Sequence, residues 1–225
     1  MPSENELKII DEKQRQMLVN FSKTQESGKM VEYLGKEFVV LKDVFWPFED
    51  SKPLVENYYI KKGETVLDVC TGSGIIAIFS AYRGAAKVSA TDISSQAVKC
   101  ARINAEKHGF SKVINVFQGD LFEPVKEEMF DVITANLPFR NKTTTNLLEQ
   151  TMWDNKLTTL KKFFSQVDKF LKQNGRIYMS QANFGAVEEL KTFAQETGFN
   201  TALIGTRKMP GEDPREFYAL ELKRK

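Results

Sequence analysis

Apolar positions near the start of the chain recur at helical spacing. Leu7, Ile10, Met17, Leu18 and Phe21 are separated by charged and polar residues, which predicts an amphipathic helix with one face packed on other structure. "TQESGK" breaks that pattern. "KEFVVL" and "KDVFWP" read as short strands or a hairpin. "SKPLVENYYI" reads as a helix, with Ser51 as N-cap and Pro53 in its first turn.

From Gly63 onward the pattern becomes an alternation. Strands are predicted at "ETVLDVC", "KVSATDI", "KVINVFQGD", "FDVITAN", "GRIYMSQ", "TALIGTRK" and "EFYALELKR". Between them lie helical segments at "GIIAIFSAYRG", "SQAVKCARINAEKHG", "KLTTLKKFFSQVDKFLKQNG" and "GAVEELKTFAQETG", several closed by glycine. This alternation specifies an α/β fold: a mainly parallel, Rossmann-like seven-stranded sheet with helices on both faces. No helix separates the last two strands, so the final one is expected to run antiparallel. The expected organisation is an N-terminal extension over residues 1–45 and a main domain over 46–225.

Composition narrows the classes. A chain of 225 residues with 41% apolar and 28% charged residues suits one packed α/β domain. A net charge of +2 neither requires nor excludes a nucleic-acid partner. The polar, acidic opening "MPSENELK" is unlike a secretory signal, and the apolar run around "GIIAIFSAY" is too short to span a membrane. Cys70 and Cys100 are read as buried thiols in a reducing cytoplasm. With one histidine, His108, and no CxxC, no metal site is expected.

Ligands of open α/β sheets bind outside the carboxyl ends of the strands, so chemistry is sought there. The first strand runs into "LDVCTGSG", where Gly72 and Gly74 permit a tight turn and Asp68 stands ahead of them. Asp68 would repel a pyrophosphate but suits an ammonium group or ordered water. The second strand ends at Asp92, twenty residues beyond Gly72, followed by Ile93. Asp92 can accept hydrogen bonds from a ribose diol, or cap the next helix alongside Ser94. Asp120 and Leu121 in "GDLF" can accept from an adenine amino group and pack on its ring; a plain loop carboxylate is the alternative. The fourth strand ends on Asn136, Leu137, Pro138 and Phe139.

Together "VLDVCTGSG", "ATDIS" and "GDLF" resemble the motifs of class I S-adenosylmethionine-dependent methyltransferases over about residues 60–225. "NLPF" resembles the Asn-Pro-Pro-Tyr/Phe motif of the amino-group methyltransferases, which include the HemK/PrmC-type glutamine methyltransferases. "FWPFEDSKPLV" is similar to the segment before the cofactor domain of HemK-like proteins, without their full N-terminal substrate domain. The resemblance implies S-adenosyl-L-methionine as cofactor, held by Ser51, Asp68, Gly72, Gly74, Asp92, Ile93, Asp120, Leu121 and Asn136. Glu49, Asp50 or Ser51 would then lie near its methionine end. It also implies a planar NH2 acceptor, on a protein glutamine or a small molecule. Asn136 and a backbone carbonyl would take its two hydrogens, Pro138 would shape the turn and Phe139 would stack on the group. Leu137 departs from the usual proline.

Other readings stay open. A nucleic-acid amine is a further acceptor class. A nicotinamide-dependent dehydrogenase would use Gly72, Gly74 and Asp92 but leaves Asp68 and "NLPF" unexplained. A non-catalytic cofactor-binding protein of the same fold is the third. Arg140 and Trp153, in the polar stretch after "NLPF", are candidates for acceptor selection, with Trp153 alternatively a buried anchor. The N-terminal helix is expected either to cover part of the acceptor site or simply to dock on the core.

Overall fold

The computed structural model describes residues 2–225. Helix α1 spans Glu4–Ser22 and opens with a reciprocal capping box between Ser3 and Glu6. Strands β1 (Lys29–Tyr33) and β2 (Lys36–Val40) form a separate antiparallel hairpin. Leu34 and Gly35, both at positive φ, make its two-residue turn. "KDVFWP" forms no strand, contrary to the sequence reading. β2 ends at Val40, and this segment becomes a loop that walls the cavity described below.

The main sheet contains β3 (Thr65–Val69), β4 (Lys87–Asp92), β5 (Ile114–Gln118), β6 (Phe130–Ala135), β7 (Leu171–Ala182), β8 (Phe199–Lys208) and β9 (Glu216–Arg224). Their order is β5-β4-β3-β6-β7-β9-β8, with β9 antiparallel to both neighbours, as the missing crossover helix requires. The helices are α2 (Lys52–Asn57), α3 (Ile75–Tyr82), α4 (Ser95–Lys107), α5 (Thr158–Gln166) and α6 (Val187–Glu196). The sheet separates two apolar layers. One joins Leu54, Ile78, Val98 and the hairpin's Tyr33 and Phe38; the other joins Leu67, Ile133, Phe163 and Leu190. Because β3 pairs with β4 on one side and β6 on the other, the chain reverses direction of growth there. That switch point opens a crevice at the carboxyl ends of the strands.

Two expected helices begin or end differently. Ser51 precedes α2, but its side chain does not cap it; Oγ bonds with the Tyr33 hydroxyl and donates to the Phe48 carbonyl instead. α5 stops at Gln166, passes through one 3₁₀ turn, and Leu171 already belongs to β7. The cause lies on β9. Arg224 donates to the carbonyls of Asp168, Leu171, Lys172 and Gln173, taking the place of the helical bonds this segment would otherwise make. No helix among the described residues is long and apolar enough to cross a membrane.

Buried Asn104 ties the hairpin to the main sheet. Its Oδ1 accepts from Val39 N–H at 2.7 Å, and its Nδ2 donates to the carbonyls of Val39 at 2.7 Å and Ser73 at 2.8 Å. The side chain thus pairs with β2 as a strand would, while holding the loop ahead of α3. Asn104→Ala leaves these backbone groups unmet and is expected to lower stability by roughly 2–3 kcal/mol. Urea unfolding at unchanged m-value checks this; a loss under about 0.5 kcal/mol, the range of ordinary surface changes, contradicts it.

Candidate functional site

The crevice holds a cavity of about 270 Å³. Its floor is the turn after β3. Gly72 N–H donates to Asp92 Oδ2 at 2.9 Å, and Ser94 N–H donates to Oδ1 at 2.9 Å, so Asp92 joins two strand ends through its carboxylate. Both sequence readings of Asp92 therefore coexist: it lines the cavity and braces the start of α4, whose side-chain cap is Ser94. Burial pushes its carboxyl above the usual range, against the opposing pull of those backbone donors. Ile93, Asp120, Leu121 and Ser51 also line the cavity. Asp120 is ion-paired to Lys162 of α5.

Two expected cofactor contacts face elsewhere. Asp68 is fully buried beneath the turn and outside the cavity wall, with Thr71 Oγ1 donating at 2.6 Å and Thr134 Oγ1 at 2.7 Å. Burial pushes its carboxyl up to about 6. It organises the turn from below because its strand neighbours leave it no opening to the cavity. Gly74, at φ +83, is likewise off the wall; a Cβ there would meet Ala101 of α4 at 3.1 Å. Its requirement is close helix packing. Cys70 departs from the buried-thiol reading in the other direction, since it lines the cavity, while Cys100 is buried.

The opposite wall begins at the end of β6. Asn136, Leu137, Pro138 and Phe139 all line the cavity. Leu137 is buried in the apolar layer with Leu160 and Phe163 of α5. The Phe139 carbonyl accepts from Ala186 N–H at 2.8 Å, fastening this segment to the turn before α6. Asn136 Nδ2 donates to Asp50 Oδ2 at 2.8 Å. An ionised carboxylate only accepts, so the amide nitrogen faces Asp50 and the amide oxygen is turned away from it. Asn136 Oδ1 and Asp50 Oδ1 are both buried without a hydrogen-bond partner. Burial pushes the Asp50 carboxyl up to about 6, opposed first by the Asn136 bond, then by the backbone N–H groups of Ser51 and of Asp50 itself, and by Arg215.

Beside Phe139, the wall contains Phe48, Phe184, Phe217 and Arg215, which were not singled out from the sequence. Phe139, Phe184, Phe217 and Phe48 form a chain of edge-on aromatic contacts with centroids 5.7–6.1 Å apart. Arg215 lies over Phe48 at 5.0 Å and is paired with Asp213 at 2.7 Å. Gln14 and Met17 of α1 complete the wall, so this helix does reach the cavity. Arg140 and Trp153 do not line it. Both bind α1 instead, Trp153 Nε1 donating to Gln14 Oε1 at 3.0 Å and Arg140 pairing with Asp11 and Gln14. Trp153 is the buried anchor of the two readings, 5% exposed. The aromatic and α1 contributions come from sequence positions far apart, and only the spacing of Asp213 and Arg215 hinted at a paired guanidinium.

The family model for the methyltransferase small domain matches residues 49–202. A Methanocaldococcus jannaschii protein provisionally named protein N5-glutamine methyltransferase is 28% identical over 190 residues, 82% of this chain and 95% of that protein. The release factor glutamine methyltransferase of Borreliella burgdorferi is 28% identical over 75% of this chain, which spans 63% of that enzyme. Ribosomal protein L11 methyltransferase of Exiguobacterium is 45% identical over 83 residues, 37% of this chain and 26% of that protein. Among solved structures, the ribosomal protein L11 methylase of Lactobacillus delbrueckii superposes with TM-score 0.56 and 26% identity, over 76% of this chain and 74% of that one.

The Asp50 environment sets a pH dependence. Below about pH 3 the carboxyl is protonated in folded and unfolded chains alike, and its burial costs little. As pH rises through 6 the native group must ionise while the unfolded one already has, so that advantage is lost. A rise of this size corresponds to roughly 3 kcal/mol. The stability of wild type relative to Asp50→Asn is therefore expected to fall by about that amount between pH 4 and 7, measured by urea unfolding. A difference that stays flat across this window contradicts the assignment.

Proposed function

The chain belongs to the methyltransferase small-domain family and is a methyltransferase, and from that premise we propose that it uses S-adenosyl-L-methionine to methylate a primary amide nitrogen, namely a protein glutamine side chain. The observation that carries the acceptor class is the Asn136–Asp50 pair, which leaves an amide oxygen unpartnered in the wall of the same cavity as Asp92. The names of the relatives support a protein glutamine as acceptor.

The residues present fit the cofactor. At Gly72 the backbone stands clear, with nothing within 4 Å of where a Cβ would lie, so a ligand can approach the main chain. Asp92 beside it is braced by backbone donors and suits a ribose diol. Ile93, Leu121 and Asp120 suit the faces and edge of a purine, and Ser51 lines the same cavity. When bound, S-adenosyl-L-methionine supplies an electrophilic methyl group on a sulfonium. The chain's contribution to the transfer is placement. Asn136 Oδ1 accepts one N–H of the acceptor, fixing the direction of the nitrogen lone pair. Phe139, held edge-on by Phe184, presents its face to the flat group, and Pro138 sets the turn that carries it. Such orientation can supply about 7–11 kcal/mol in well-ordered cases.

Transfer of labelled methyl from S-adenosyl-L-methionine to glutamine-containing peptides, with the modified residue mapped by mass spectrometry, tests the reading directly. Label on another residue type contradicts the acceptor assignment. Asn136→Ala is expected to cut single-turnover transfer by at least about a hundredfold, or about 2.7 kcal/mol of barrier, with affinity for S-adenosylhomocysteine nearly unchanged. Transfer at the wild-type rate would reduce "NLPF" to a turn. Asp92→Ala should do the converse, weakening S-adenosylhomocysteine binding about ten- to a hundredfold by calorimetry, since a charged hydrogen-bond partner is lost. Unchanged affinity would leave Asp92 only its bracing role.

A further inference from the structure

Gln14 lies midway along α1, in the wall of the cavity, and is only 4% exposed. Its Oε1 accepts from Arg140 Nη1 at 2.8 Å and from Trp153 Nε1 at 3.0 Å. A guanidinium and an indole N–H can only donate. The amide therefore has one orientation, because turning it over would bring its NH2 group against two donors. Nε2 is left without an acceptor among the described residues. Unlike Trp46 Nε1, which is enclosed without a partner, it retains accessible surface. Gln14 thus presents an oriented and uncommitted NH2 group to the cavity. We propose that Gln14 Nε2 donates to a carbonyl oxygen of the methyl acceptor, so that α1 reads the peptide character of what enters the site. This rests on the protein-amide reading above and adds a specificity-determining residue to it.

The position of Gln14 is that of the acceptor side. Ile10, one helical turn earlier, packs in the apolar cluster with Phe184 and Phe217, against which Phe139 and Phe48 lie. Met17, three residues later, lines the cavity, and its sulfur accepts from Arg215 Nη1 at 3.5 Å. Arg140 directly follows Phe139. Its carbonyl accepts from Asp154 N–H at 2.8 Å, which keeps Arg140 and Trp153 side by side. Gln14 is thereby fastened to the segment running from Asn136 to Phe139 rather than to the glycine turn at Gly72. The helix itself is held in place, since Asp11 pairs with Arg140 and Lys142, and Lys13 pairs with Asp213. The donor is fixed before any ligand arrives, which lowers the entropy lost on binding.

A carbonyl oxygen is the group that fits this donor. An amine or ammonium on the acceptor would set donor against donor. A carboxylate would call for a cation, and the guanidinium of Arg215 in this wall is already committed to Asp213 at 2.7 Å. The NH2 group of Asn136 is likewise committed, to Asp50. A peptide bearing glutamine offers neutral carbonyl oxygens both along its backbone and at the end of that side chain. An acceptor without such an oxygen would leave the Gln14 donor unpaired, which is how a site built around a hydrogen bond rejects the wrong molecule.

Gln14→Glu separates this role from packing. Its carboxylate keeps an oxygen for Arg140 and Trp153 and replaces only the NH2 group. Methyl transfer to a glutamine-containing peptide is expected to lose at least about tenfold in kcat/KM, with affinity for S-adenosylhomocysteine and the urea midpoint no lower than in wild type. The side-chain NH2 resonances of Gln14, identified by their loss in the variant, should move in wild type when the peptide joins S-adenosylhomocysteine, and stay in place with S-adenosylhomocysteine alone. The same peptide at saturation, with norvaline in place of glutamine, tells the two oxygens apart. Movement that persists assigns a backbone carbonyl, and movement that is lost assigns the side-chain amide. A Gln14→Glu protein within about threefold of wild type, or resonances that respond to S-adenosylhomocysteine alone, overturns the proposal and leaves the functional reading intact. A wild type that methylates no glutamine peptide overturns that reading, and this proposal with it.

Discussion

One hydrogen bond organises the site: Asn136 Nδ2 to Asp50 Oδ2, across 86 residues of sequence. A primary amide can be turned over with little change in shape, exchanging donor for acceptor. An ionised carboxylate removes that freedom, because it accepts and cannot donate. The bond therefore fixes how the amide at the end of β6 is turned, with its nitrogen on Asp50 and its oxygen directed away from that carboxylate. It also joins the segment ahead of α2 to the end of β6, so the two are held as one unit.

The surrounding fold makes this bond possible. The switch between β3 and β6 brings the glycine turn and the Asn136 segment to the same crevice. Asp68 and Thr134 hold the turn from below, and Asp92 holds it from the side. The Asp50 segment is fixed through Ser51 to Tyr33 of the hairpin, which Asn104 ties to α4 and the turn ahead of α3. Helix α1 closes the far wall through Gln14, which accepts from both Arg140 and Trp153. Each wall is thus held in part by side chains behind it, Asp68, Thr134, Tyr33, Asn104, Arg140 and Trp153, that do not line the cavity.

Much of this was legible in the sequence. Hydrophobic alternation from Gly63 onward specified the strands, and the absent crossover helix specified the antiparallel last strand. The strand ends marked Gly72, Asp92, Asp120 and Asn136, because ligand sites follow from topology in such sheets. What the sequence hid was mostly direction and long-range partnership. Whether a buried strand residue such as Asp68 faces the cavity or the turn beneath depends on its neighbours, Thr71 and Thr134, and not on its position in the motif. The early end of α5 depends on Arg224, some 50 residues later. Arg140 and Trp153 looked like free acceptor contacts until α1, more than 120 residues away, was seen to occupy them. The Asn136–Asp50 bond has no local signature at all, although both residues lay within segments already noted.

The central claim is that Asn136, oriented by Asp50, presents an amide oxygen to the nitrogen that is methylated. A crystal structure with S-adenosylhomocysteine and a glutamine-containing peptide tests it most directly. The account predicts the peptide's amide nitrogen within hydrogen-bond reach of Asn136 Oδ1, about 2.7–3.2 Å, with Nδ2 still on Asp50. A glutamine side chain bound away from Asn136, or an Asn136 amide turned so that its nitrogen faces the peptide, would contradict it.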